Sequence, residues 1–87
     1  MAIVGDRPSH GMRLRLVLDR SGRHYDGTAT TPDAQWRIAA AIDDDGAVTI
    51  DTRAPAEIAD YARRVVRIAV RNAAGARPPR VIQRWRA

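Results

Sequence analysis

Cysteine is absent from these 87 residues, and so are lysine and phenylalanine. Without cysteine there is no disulfide framework, no thiolate nucleophile and no cysteine-based zinc or iron–sulfur site. Such a chain suits a reducing cytoplasm. Aromatic residues make up only 5% of the chain, which leaves few platforms for a stacked base. No stretch approaches the roughly 18 consecutive apolar residues of a membrane span, and the first dozen residues carry no long apolar run behind a basic start. The expectation is an unprocessed cytoplasmic protein with no membrane partner.

What is there is short, basic and alternating. A chain of 87 residues has room for one core. Folding at this length removes roughly 60% of the surface the unfolded chain exposes, so burying more in an oligomer would add stability. The net charge is +5, and all fifteen basic residues are arginine. A basic surface attracts nucleic acid or acidic proteins. An arginine-only, alanine-crowded composition is also what GC-rich coding produces, so charge by itself carries half its usual weight.

Residues 1–11, ending in Pro8-Ser9-His10-Gly11, hold turn formers and no period, and are expected to be a loose leader. Within them Ala2-Ile3-Val4 is long enough only for a short edge pairing. Residues 12–87 are expected to form a single α+β domain. Met12, Leu14, Leu16 and Leu18 alternate with Arg13, Arg15, Val17 and Asp19, which marks a strand with one buried face. After Ser21-Gly22, a weaker strand runs through Tyr25, Gly27 and Ala29. Thr31-Pro32-Asp33 breaks the run, and Trp36, Ile38, Ala40 and Ile42 restore it. Asp45-Gly46 is a hairpin signal, with Val48 and Ile50 resuming the inward face.

A helix is expected over about residues 55–74. Pro55 suits its first turn, Glu57 and Asp60 its positive end, and Arg67 and Arg71 its negative end. Gly75 is the expected left-handed cap, and Pro78-Pro79 cannot continue the helix. A short fifth strand over residues 80–86 is read with Val81, Gln83 and Trp85 inward. The fold class is therefore ββββαβ: an antiparallel four-stranded meander, one long helix across one face, and a closing strand. A crossover from strand four places that last strand antiparallel beside the first, in the order 5-1-2-3-4.

At 100° per residue the polar helix positions Asp60, Arg63, Arg64, Arg67 and Arg71 occupy a narrow arc. The apolar arc spans roughly 200°, wider than docking on one sheet requires. Ala59, Val66 and Val70 are read as the spare flank, available to a second subunit. The outer sheet face should carry Arg13, Arg15, Val17, Asp19, His24, Asp26, Thr28, Arg37, Ala39, Ala41, Thr49, Asp51 and also Arg84. Val17, Ala39 and Ala41 are the apolar members of that face and join the expected contact patch.

No catalytic, metal or cofactor site is expected, nor a small-molecule substrate. His10 and His24 have no ligand spacing, and Asp43-Asp44-Asp45 lacks the spacing of a calcium loop and is read as an acidic turn. His24 and Asp26 share a strand face and could act as base and orienter, with Ser21 in the adjoining turn. The leading expectation is a non-catalytic interaction module that forms a homodimer. The alternative is single-stranded DNA or RNA binding through Arg13, Arg15, Arg37, Arg84 and Arg86, with charge as its support. A meander followed by a helix resembles, in layout alone, small dimeric single-strand-binding modules. With Tyr25, Trp36 and Trp85 assigned inward and Tyr61 on the buried helix arc, the sheet lacks an aromatic platform on this reading.

Overall fold

The computed structural model describes residues 10–86. The expectations for residues 1–9, including the Ala2-Ile3-Val4 pairing, lie outside the described residues. Strands β1 (Met12–Leu18), β2 (His24–Thr30), β3 (Gln35–Ile42) and β4 (Val48–Thr52) precede helix α1 (Ala56–Ala73), and β5 (Val81–Arg86) follows it. They form one sheet in the order β4-β3-β2-β1-β5, every neighbouring pair antiparallel. The ββββαβ order and the placement of the last strand beside the first are those expected from the sequence.

β1 is the centre of the core. Met12, Leu14, Leu16 and Leu18 are all buried, and Leu14 and Leu16 have no exposed surface. Each fully buried side chain of this size contributes about 1.5–3 kcal/mol relative to solvent exposure. Tyr25 and Ala29 of β2, Ile38 and Ala40 of β3 and Val48 of β4 complete the same face. At Gly27 the backbone of β1 approaches so closely that a Cβ would lie 1.8 Å from the Arg15 carbonyl oxygen, a space only glycine leaves open. The buried Tyr25 hydroxyl donates a hydrogen bond to the Pro79 carbonyl, tying the segment between α1 and β5 to the middle of the sheet. Burial raises the pKa of this phenol above its ordinary value.

α1 lies over β3 and β4. Its buried stripe is Ile58, Ala62, Val66 and Ala69, spaced as one helical face requires. The small side chains of Ala62 and Ala69, and of Ala40 in β3, allow close approach. Two helix-end expectations are refined. Pro55 sits one position earlier than expected, at the N-cap, where its carbonyl accepts from the Ile58 and Ala59 amides. The C-cap is Ala74, at φ 51° and ψ 47°, with Gly75 next to it at φ 88°. An L-residue in that conformation costs about 1–2 kcal/mol, which glycine avoids.

The helix rotation also corrects the spare flank. Val66 is fully buried in the core, and Ala59 and Val70 are half-buried. The exposed apolar helix residue is instead Ile68, at 51%. Ile68 lies nearly in line with Tyr61, on the flank towards β5 where Tyr61 meets Arg86, whereas Val70 is on the flank towards β4.

Candidate nucleic-acid interface

Cross-strand partners in an antiparallel pair share a face, so the β1–β5 register fixes where each β5 side chain points. Leu16 is opposite Ile82 and Leu14 is opposite Arg84, which places Ile82, Arg84 and Met12's partner Arg86 on the helix side. Val17 is opposite Val81, Arg15 opposite Gln83 and Arg13 opposite Trp85, so these pairs occupy the outer face. The expected phase of β5 is therefore reversed. Ile82 is the inward residue, at 1% exposure, while Trp85 is 60% exposed on the outer face and Arg84 lies on the helix side. The physical reason is that α1 lies mainly over β3 and β4, so beyond Ile82 the inner side of β5 meets only the Tyr61 end of the helix and stays exposed. Arginine is tolerated there at no desolvation cost.

The reversal supplies an aromatic platform to the outer face. The Arg13 guanidinium carbon lies 5.9 Å from the centre of the Trp85 ring, a cation–π contact between directly opposed residues. Arg15 is exposed on the same face, two residues along β1. On the other side of the sheet, the Arg86 guanidinium carbon is 5.1 Å from the centre of the Tyr61 ring. Arg15, Arg84 and Arg86 are paired with no carboxylate among the described residues.

Arg37 behaves differently from Arg15, Arg84 and Arg86. It forms a two-pronged ion pair with Asp26, Nε to Oδ1 at 3.1 Å and Nη2 to Oδ2 at 2.8 Å. Those bonds hold the Asp26 carboxyl below, and the Arg37 guanidinium above, their ordinary pKa values. Asp26 is thus engaged with Arg37 and not with His24. His24 Nδ1 instead stands 3.4 Å from an Asp19 carboxylate oxygen and 3.4 Å from the Ser21 hydroxyl. The Ser21 hydroxyl donates to Asp19, and with the local charge of His24 this keeps the Asp19 carboxyl below its usual range. The proton of Ser21 points to the acid rather than to the imidazole, which is the wrong direction for a base-activated nucleophile.

Asp43 explains the acidic turn. Its Oδ1 accepts from the Asp45 and Ala47 amides, both at 2.9 Å, and Gly46 takes φ 85° at the tip. Asp44 pairs with Arg23 across the neighbouring hairpin. Val17, Ala39 and Ala41 lie half-buried on the outer face as expected, Ala39 and Ala41 towards the side where Arg37 and Asp26 neutralise one another. Among the described residues no helix is long and apolar enough to cross a membrane.

Comparisons with protein-family models, with curated proteins and with solved structures return no match for this chain.

Proposed function

We propose that this protein binds single-stranded nucleic acid on the outer face of its sheet, at the end formed by β1 and β5. The observation that carries this reading is Trp85, a large indole 60% exposed beside Arg13 and Arg15. An exposed aromatic on a flat sheet offers a base a stacking surface, and adjacent arginines attract the phosphates. Bases inside a duplex have no free face to stack, so a single strand is the form this surface fits. Arg13 and Arg15 serve as phosphate contacts, while the charge of Arg37 is partly offset by its ion pair with Asp26. The test is fluorescence anisotropy of labelled single-stranded DNA, duplex DNA and RNA from low to physiological salt. The expected result is single-strand preference, a linear loss of affinity with the logarithm of salt, and a loss of about ten-fold or more in Trp85→Ala. Equal binding to duplex, or a Trp85→Ala variant that binds as well as the parent, contradicts the proposal.

A homodimer is the second reading. Val81 and Trp85, 43% and 60% exposed, give the outer face an apolar pair that a second copy would cover. Arg80, Arg84 and Arg86 crowd that edge with like charge, which opposes edge-to-edge pairing. Sedimentation showing a strict monomer at high concentration would remove this reading.

A further inference from the structure

The outer face is one side of β5, and the other side carries a second arginine–aromatic pair. Alternation along one strand puts Trp85 outward and Arg84 and Arg86 on the helix side. α1 lies mainly over β3 and β4, reaching this edge through Tyr61, and Arg84 and Arg86 both stay exposed. Arg86 is held against the half-buried Tyr61 ring with its guanidinium carbon 5.1 Å from the ring centre. A guanidinium held over an aromatic ring is restrained in position. It presents its donors to a phosphate at a smaller entropic cost than a free arginine does.

We infer that the bound single strand crosses the β5 edge, one base stacking on Trp85 on the outer face while the continuing backbone is gripped by Arg84 and Arg86 on the helix side. This rests on the single-strand reading above and extends it from one face to a path. The charge pattern favours that direction. Arg15, Arg84 and Arg86 all lack carboxylate partners among the described residues, whereas the opposite direction across the outer face leads to Asp26 and Asp51. Glu57 lines the same shallow cleft as Arg86, and its charge bounds the path on the inner side.

The experiment is a length series of labelled oligothymidylates, three to twelve nucleotides, titrated at several salt concentrations into the parent protein, Trp85→Ala and the double variant Arg84→Ala/Arg86→Ala. Both arginines are exposed, so the double variant keeps the fold. For the parent, affinity should rise with length to about six to eight nucleotides. In the double variant it should level off at about four, with the log–log salt slope smaller by about one to one and a half, the share of two phosphate contacts on a single strand. Binding that needs Trp85 but has the same length dependence and salt slope without Arg84 and Arg86 overturns the crossing path and leaves the outer-face reading standing. No binding of any oligomer overturns both.

Discussion

β4 and β5 are both edge strands, yet they meet solvent in opposite ways. β4 lies under α1 with Val48 buried and Ile50 half-buried, and two nearby arginines are engaged by acids, Arg37 by Asp26 and Arg23 by Asp44. β5 buries Ile82 alone, exposes Val81 and Trp85, and carries Arg84 and Arg86 without carboxylate partners. One edge is covered by the helix and carries exposed acid at Asp45 and Asp51. The other is uncovered by any further strand among the described residues, cationic and aromatic; its charge guards against edge-to-edge pairing, while the exposed indole is what a stacking surface needs.

The sharpest way to break this contrast is through stability. Ile82→Ala removes the only buried side chain of β5 and should cost about 3 kcal/mol in chemical denaturation. Trp85→Ala, on the same strand and far larger, should cost less than about 1 kcal/mol because most of it is already in water. Equal losses would mean that Trp85 packs in the core and that the platform does not exist. Next in size is the difference between two outer-face arginines in nucleic-acid titrations. Arg15→Ala should lower the salt slope by about 0.7, one phosphate contact on a single strand, while Arg37→Ala should lower it less because Asp26 partly offsets that charge.

Two smaller effects belong to the covered half. Ala74→Gly relieves a left-handed residue at the end of α1 and should raise stability by about 1 kcal/mol, read as a shift in the denaturation midpoint. Asp26 and Asp19 have carboxyl pKa values held below those of the unfolded chain, so the unfolded state takes up protons first as pH falls. Their contribution is complete at neutral pH and is lost as pH drops through and below the ordinary carboxylate range, about 4. Both are exposed, so the effect is small. Asp26→Asn should flatten the acid side of the stability profile slightly, seen by comparing denaturation midpoints at neutral and acid pH.

The architecture was legible because it depends on periods and turn residues. β1 alternates over seven residues, Asp45-Gly46 closes a hairpin, and the helix is bounded by Pro55 and Gly75. The phase of β5 was not legible. Both of its alternating sets contain an apolar residue, Ile82 in one and Val81 with Trp85 in the other, and a two-residue period gives either set the core. The choice is made by coverage: α1 sits over β3 and β4, and only the position opposite Leu16 is enclosed. The same helix placement decides which flank of α1 is left over, putting Val66 inside and Ile68 outside. The ion pair of Arg37 with Asp26 follows from adjacent positions on paired strands, which a linear sequence does not display.

The most direct test is the fluorescence of Trp85 in a Trp36→Phe background, where it is the sole indole, during titration with single-stranded and duplex oligonucleotides of the same sequence. Quenching by the single strand at physiological salt, saturable and absent or much weaker with duplex, is the predicted result, since a stacked base covers the ring. An unchanged spectrum at single-strand concentrations that bind by anisotropy would contradict the account, because the nucleic acid would then be held somewhere other than the β1–β5 end.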